Sequence, residues 1–202
     1  MVIKNLDTLN REELGRLFPI ILSEHKEEWK KFFNQEKEEL LSLLSKERAL
    51  RVEHIGSTAV PGLLAKPTID ILVELSDYNN QQNEIKKIMC AAGYIHMREQ
   101  VNHLMFVKGY TPEGFKGQCY HIHMEPEGAA SIWDRINFRD YLISNPKVAE
   151  EYAALKKVLA KRYEIDRDAY TDAKTDFIKK VTAEAKAAFT HRPYSYSKPT
   201  NN

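Results

Sequence analysis

The sequence has few cysteines, no long apolar run and none of the commonest cofactor motifs. Cys90 and Cys119 are the only cysteines among 202 residues, which is too few for a disulfide framework. No apolar run approaches the roughly 20 residues that a membrane span needs, and the first residues lack the apolar stretch of a secretory signal. CxxC, HExxH, P-loop and GxGxxG motifs are absent, which argues against the commonest zinc, metalloprotease and dinucleotide-binding classes. We therefore expect a cytoplasmic protein with free thiols and no membrane partner.

The charge balance is close to neutral. The 30 Lys and Arg residues face 29 Asp and Glu residues, for a net charge of +1. Because no overall positive field would recruit nucleic acid, a small-molecule partner is favoured over a nucleic-acid partner. The length fits about one domain. We expect a single domain over residues 1–190 and a disordered tail over 191–202, which is polar and contains proline.

The apolar pattern predicts an α+β fold, with a central group of strands flanked by N- and C-terminal helices. Asn10 followed by Glu13 is typical of a helix that begins with a capping box, and Ser23 is predicted to cap a long helix. The glycine-containing segment 110–118 is predicted to be a loop, across which the last two strands pair antiparallel. The predicted strands cover residues 51–55, 68–75, 94–97, 103–108 and 119–125.

The segment VEHIGSTAVPGLLAKPTIDILVE is the most unusual of the chain. A predicted strand leads into Gly56-Ser57-Thr58, and a second strand that carries Asp70 begins shortly after Lys66. Glycine lets a backbone approach a ligand closely, and backbone N–H groups next to hydroxyl groups suit a phosphate. A carboxylate on the next strand can hold Mg²⁺ against that phosphate. The alternative interpretation is an ordinary turn followed by a solvated aspartate.

Two histidines lie on one face of the last predicted strand. In CYHIHMEP, His121 and His123 alternate with large apolar residues, as Asp70 alternates with isoleucines in TIDILVEL. A strand that is buried on one face has no packing reason for two histidines on the other face. With Asp70 from a neighbouring strand they would form a plausible divalent-metal set. The alternative is that both histidines are hydrogen-bonded structural residues.

The segment EHIGSTAVPGLLAKPTIDILVEL, together with the later His121-x-His123 pair, resembles the signature of the GrpB family. The resemblance spans roughly residues 17 to 180. It implies the nucleotidyltransferase superfold, a mixed sheet with helices in which a Gly-Ser motif precedes a strand with an Asp-x-Asp motif. Gly56, Ser57 and Asp70 fall at the matching positions. The second acid of the Asp-x-Asp motif is replaced by Leu72, so the place of a further acid falls to one of the histidines.

The resemblance implies a nucleotidyltransferase-like protein that binds a nucleotide and a divalent metal ion and transfers a nucleotidyl group to an unknown acceptor. Ser57, Thr58 and Lys66 would hold the triphosphate of ATP or another NTP. Arg139 would neutralise charge on the leaving group or the acceptor. The metal ion would be Mg²⁺ or Mn²⁺, with Zn²⁺ as an alternative, held by Asp70 and the two histidines described above.

Other functions stay open at this point. Because Leu72 weakens the case for two-metal catalysis, the protein could be a non-catalytic module for a nucleotide or phosphometabolite. It could also be a metalloprotein with a single Asp/His/His site, or a homodimer that pairs through its aromatic N-terminal helix. Tyr170 and Lys174, four residues apart, are interpreted as packing and surface charge.

Overall fold

Five strands form one mixed sheet in the computed structural model, which describes residues 6–190; the tail 191–202 that the sequence predicts to be disordered lies outside this range. The strand order is β1-β2-β5-β4-β3. β2 and β5 run parallel, and the other neighbouring pairs are antiparallel. The predicted α+β class, a mixed sheet flanked by N- and C-terminal helices, is confirmed. The strands are β1 (Ala49–Ile55), β2 (Thr68–Leu75), β3 (Ile95–Gln100), β4 (His103–Thr111) and β5 (Gly114–Pro126).

Helices lie before, between and after the strands. Within residues 6–190, no helix has the length and apolarity that crossing a membrane requires. The C-terminal third of the described chain is helical, as the apolar periodicity predicts. The helices are α1 (Arg11–Leu17), α2 (Glu28–Leu44), α3 (Tyr78–Ala91), α4 (Ala130–Ser144), α5 (Pro146–Arg162), α6 (Arg167–Asp172) and α7 (Thr175–Ala188).

The predicted start of the first helix is confirmed, and that of the second is wrong. The Asn10 side chain accepts a bond from the Glu13 backbone N–H at 3.0 Å, and the Glu13 side chain accepts one from the Asn10 backbone. Ser23 does not cap α2, which begins at Glu28. The Ser23 backbone instead exchanges two hydrogen bonds with Ala65, at 2.8 and 3.0 Å. A backbone paired in this extended conformation cannot begin a helix.

The predicted loop 110–118 is a continuation of the β4–β5 hairpin. Tyr110 pairs with Phe115 and Thr111 with Gly114, so only two residues separate the strands. The glycines in and next to this segment lie at a turn and at a bulge rather than in a long loop. Gly114 has φ +112° beside the two-residue turn, and Gly109, which directly precedes the segment, has φ +88° beside the irregularity in β4. Both conformations favour glycine. The predicted antiparallel pairing of the two strands is confirmed.

One face of the sheet carries most of the apolar core. Alternate apolar residues of β2 and β5 pack against α2 and α3, and Trp29, Leu40 and Met89 of these helices are fully buried there. Because side chains of a strand alternate between its faces, Asp70 and His121 lie on the opposite face. The periodicity of the strands therefore predicts correctly which residues are kept out of this core.

The opposite face is only partly covered by the C-terminal helices. Leu72 packs against Ile132 and Ile136 of α4. Val60 and Leu63, from the connection between β1 and β2, pack with α4, α5 and α7 in a further apolar cluster. An open cleft separates these helices from the exposed part of β4 and β5.

Candidate functional site

The cleft contains every predicted site residue except Arg139. Its volume is about 1420 Å³, above the range of roughly 300–1,000 Å³ that is typical of small-molecule sites. The cleft is therefore larger than a typical site for one small molecule. The predicted residues that line it are Gly56, Ser57, Thr58, Lys66, Asp70, His121 and His123.

Asp70, His121 and His123 form a candidate metal centre. Asp70 lies directly opposite His121 in the parallel ladder of β2 and β5, and His123 follows two residues later on the same face. The Asp70 Oδ1 atom lies 3.1 Å from His121 Nδ1 and 4.0 Å from His123 Nε2. One ligand atom of each residue lies within 4.8 Å of the others. One oxygen and two imidazole nitrogens are donors that suit a transition metal such as Mn²⁺ or Zn²⁺.

Neighbouring polar groups contact the outer nitrogen of each histidine. His121 Nε2 lies 2.8 Å from the Tyr110 hydroxyl, to which Arg167 also donates at 3.3 Å. His123 Nδ1 lies 3.1 Å from His103 Nε2. Histidines that bind metals almost always use their second nitrogen in this way, which fixes the ring orientation. The remaining nitrogen of each ring therefore faces Asp70.

The protonation states of Asp70 and His123 also suit a metal ion. Burial raises the pKa of Asp70, but the hydrogen bond from His121 and the charges around it outweigh burial and bring the pKa to about 2. Burial, followed by the charge of Arg135, lowers the pKa of His123 well below its ordinary value. An anionic carboxylate and a neutral imidazole are the forms that bind cations at neutral pH.

Gly56 brings the end of β1 against Asp70. Ile55 pairs with Asp70 across the β1–β2 ladder, and Gly56 follows with φ +71°. A Cβ atom at Gly56 would lie 2.4 Å from Asp70 Oδ2, closer than real Cβ atoms approach other atoms. Only glycine therefore lets this corner of the chain pass beside the carboxylate. Ser57 follows directly, so its hydroxyl lies at the same end of the cleft.

The Thr58 hydroxyl is already engaged by the protein. Thr58 is buried and donates to the Thr68 carbonyl at 3.3 Å, while His54 Nε2 lies 3.0 Å from the same oxygen. Burial lowers the pKa of His54 to about 4, so this ring is neutral at physiological pH. Thr58 therefore lies in the wall of the cleft. Its hydroxyl links the Gly56–Ser57 segment to β2 and is not free to bind a phosphate.

Arg139 lies away from the cleft, which corrects the prediction that it would meet the leaving group or the acceptor. Its Nη1 atom donates to Glu53 at 2.9 Å and to the His54 carbonyl at 2.7 Å. Its Nε atom donates to Asp140 at 2.7 Å. Two carboxylates and a carbonyl therefore hold the guanidinium group, and it links α4 to β1.

Sequence reasoning missed Lys156 and assigned Lys174 to the surface. Both line the cleft, together with Lys66. Lys156 is only 2% exposed and donates to the Ser57 hydroxyl at 3.0 Å and to the Leu64 carbonyl. The available signal was helical spacing, because Lys156 lies one turn after Tyr152 on the apolar stripe of α5.

Burial lowers the pKa of all three lysines. The pKa values of Lys66 and Lys156 fall to about 7, and that of Lys174 falls to about 8. After burial, the charges of Arg167 and Lys174 lower the pKa of Lys66 further, and Lys174 does the same for Lys156. The Asp70 carboxylate acts in the opposite direction on Lys174. The positive groups are therefore close enough to repel one another.

Leu72 stands where the Asp-x-Asp motif would have its second acid. It is fully buried and packs against Ile55, Ile132 and Ile136. Among the side chains that the structure describes, Asp70 and the two histidines are the one group of three or more His, Cys, Asp or Glu residues that could hold a metal ion. The described residues therefore offer one candidate set of metal ligands rather than two.

A family model described as GrpB protein matches residues 19–184. The chain belongs to the GrpB family. It is 38% identical over 165 residues to a UPF0157 protein of Pseudomonas aeruginosa, covering 81% of this chain and 66% of that protein. It is 35% identical over 167 residues to the glutamate-rich protein GrpB of Alkalihalophilus pseudofirmus, covering 82% and 95% of the two chains. The chain thus spans just under two thirds of the Pseudomonas relative, and the predicted family is confirmed.

Solved structures include a member of the same family. The crystal structure of the conserved protein GrpB from Enterococcus faecalis matches with a TM-score of 0.71 and 33% identity, covering 85% of this chain and 100% of that chain. A structure of the Cid1 poly(U) polymerase matches with a TM-score of 0.46 and 13% identity, covering 74% and 49% of the two chains. The similarity to Cid1 is too low to show what this GrpB protein binds.

Proposed function

We propose that this GrpB protein binds a nucleotide together with one divalent metal ion and that its reaction type is nucleotidyl transfer. The observation that carries the proposal is the meeting of two features in one cleft. The Gly56–Ser57 corner and the Asp70, His121 and His123 centre come from separate segments of the chain and open onto the same space. A phosphate group placed between them would meet hydroxyl and ammonium groups on one side and the metal ion on the other.

The residues of the chain have separate tasks in this proposal. Asp70 and the two histidines hold the metal ion, which when bound offsets negative charge on a phosphoryl oxygen. Ser57 and Lys66 orient the phosphate by hydrogen bonds and charge. Since two of the three metal ligands are imidazoles, Mn²⁺ or Zn²⁺ is favoured over Mg²⁺.

Nucleotide binding without turnover is the second candidate. Leu72 supports it, because two-metal nucleotidyl transfer needs several anionic oxygens and the buried Leu72 side chain supplies none. Incubation with labelled NTPs, Mn²⁺ and a cell extract separates the two candidates. Transfer of label that is lost on Asp70→Ala supports the enzyme, whereas nucleotide binding without any transfer supports the binding module.

Calorimetric titration with Mn²⁺ tests the metal centre directly. We expect Asp70→Asn to weaken Mn²⁺ binding at least tenfold, because the substitution removes the one charged ligand. Asp172→Asn is the matched control, since Asp172 also lines the cleft but is exposed and absent from the metal centre. Failure of the wild-type protein to take up Mn²⁺ or Zn²⁺ would overturn the proposal.

A further inference from the structure

An apolar surface borders the metal centre on the side away from the Gly56–Ser57 corner. In the ladder between β4 and β5, Val107 lies directly opposite His121, and Met105 lies directly opposite His123. Side chains that are opposite one another in a ladder share a face of the sheet. Val107 and Met105 therefore lie in the cleft beside the two histidines, and both line it.

The surface continues onto β3, the edge strand of the sheet. Ile95 pairs with Val107, and Met97 lies at an irregularity of the β3–β4 ladder. Both line the same cavity. Met97 is 58% exposed, and Ile95 and Met105 are only partly buried. We call Ile95, Met97, Met105 and Val107 the apolar shelf.

The order of the strands places the corner, the metal centre and the apolar shelf in a row. The corner follows β1, Asp70 lies on β2, the two histidines lie on β5, and the shelf lies on β4 and β3. The helix that packs on Leu72 leaves the shelf open to the cleft. Any ligand that extends from the corner across the metal centre therefore meets the shelf next.

Exposed apolar groups in a cleft suit an apolar ligand. Contact with water costs free energy that burial against such a ligand recovers, and apolar patches inside grooves mark binding sites. Methionine side chains are unbranched and polarizable, so Met97 and Met105 can adapt to the shape of a ligand.

The geometry of nucleotidyl transfer indicates which ligand this is. The attacking and the leaving oxygen lie roughly in line across the phosphorus atom. Since the proposed function places the leaving phosphates at the Gly56–Ser57 corner, the attacking oxygen approaches from the opposite side, where the apolar shelf lies. The nucleoside is attached through an equatorial oxygen and extends sideways from this line.

We propose that the apolar shelf binds the acceptor of the nucleotidyl group and that this acceptor is an alcohol with an apolar body. The inference rests on the function proposed above and names the class of its acceptor. In the transfer, the hydroxyl oxygen forms a bond to the α-phosphorus, and the bond between that phosphorus and the pyrophosphate oxygen breaks. The hydroxyl proton is released to water.

Fluorescence titration with Nile red, an uncharged apolar probe, tests the shelf in buffer without metal ion or nucleotide. We expect Nile red to bind, and benzyl alcohol to displace it at concentrations at least tenfold lower than glycerol requires. Met97→Gln and Met105→Gln should each weaken Nile red binding at least fivefold. Val158→Gln is the control, because Val158 is an exposed apolar residue of α5 outside the cleft, and it should change the affinity less than twofold.

The labelled product of the assay with NTP, Mn²⁺ and cell extract tests the acceptor itself. We expect a product that a reversed-phase column retains more strongly than the NTP, and Met97→Gln should reduce its formation at least fivefold. Label in nucleic acid or in a product more polar than the NTP would overturn the inference.

Other outcomes would also overturn the inference. They are the absence of Nile red binding, an equal loss in Val158→Gln, and displacement of Nile red by ATP with Mn²⁺, which would place the nucleoside on the shelf. If Met105→Gln fails to fold, Met97→Gln carries the test because Met97 is exposed. Nile red binding by a protein that binds neither ATP nor Mn²⁺ would refute the proposed function, and the acceptor with it, but would leave the shelf as an apolar binding surface.

Discussion

Replacement of Lys156 by methionine should change how the stability of the protein depends on pH. Lys156 is 2% exposed, and burial, followed by the charge of Lys174, lowers its pKa from 10.5 to about 7. Each pKa unit corresponds to about 1.36 kcal/mol, so the charged ammonium costs the folded state on the order of 5 kcal/mol. Methionine keeps an unbranched apolar side chain and removes this charge.

The direction of the effect follows from the two pKa values. Below pH 7 the ammonium is protonated in both states, and the folded protein bears the full cost. Between pH 7 and 10.5 only the unfolded chain keeps the proton of Lys156, so the contribution of this residue to stability rises with pH. The free energy of unfolding of Lys156→Met, minus that of the wild type, should therefore fall by roughly 3 kcal/mol between pH 7 and 9.5.

Urea denaturation at several pH values measures this difference. The methionine variant also loses the hydrogen bonds of Lys156 to Leu64 and Ser57. This loss changes the free energy of unfolding by an amount that depends little on pH, so the change of the difference with pH reports the ammonium charge. Lys157→Met is the control, and its difference from the wild type should stay within about 0.5 kcal/mol across the range because Lys157 is exposed. A difference for Lys156→Met that stays constant or rises with pH would show that the pKa of Lys156 is not lowered in the folded protein.

Three other substitutions test the site and its surroundings. Gly56→Ala should weaken Mn²⁺ binding at least tenfold in calorimetry, because its Cβ would lie 2.4 Å from the metal-binding carboxylate, whereas Gly62→Ala, also at positive φ but with open space around it, should leave Mn²⁺ binding unchanged. Leu72→Asp should lower the free energy of unfolding by about 3–5 kcal/mol in urea denaturation, as expected for an unpaired buried charge, and a free energy of unfolding equal to that of the wild type would contradict this. Tyr110→Phe removes the hydroxyl that contacts His121 and should weaken Mn²⁺ binding about 10- to 100-fold; unchanged affinity would exclude that contact from the site.

The sequence predicts the faces of the strands well because the two-residue alternation of a strand is a local property. Asp70 in β2 and His121 in β5 each alternate with apolar residues, which indicates the faces that lie away from the core. The register that sets them side by side joins segments about fifty residues apart. No local pattern encodes that pairing, so the residue types could suggest that Asp70 and the two histidines share a site, but the sequence alone could not establish that the two strands are neighbours.

Contacts distant in sequence account for the errors at the site. Arg139 has the surroundings of a surface arginine in the sequence, but its partner Glu53 lies 86 positions away. Lys156 interrupts an apolar helical stripe, and only the fold shows that it reaches Ser57. The loop predicted at 110–118 reflects a different limit, since glycine marks bulges and tight turns as well as loops.

Anomalous diffraction from crystals soaked in Mn²⁺ shows where the metal ion binds. We expect one anomalous peak within about 2.3 Å of Asp70 Oδ1 and of the nitrogens of His121 and His123 that face Asp70. Addition of tripolyphosphate should place a phosphoryl oxygen on the same ion. A crystal with Mn²⁺ bound elsewhere and none between these three side chains would show that they are not a metal centre.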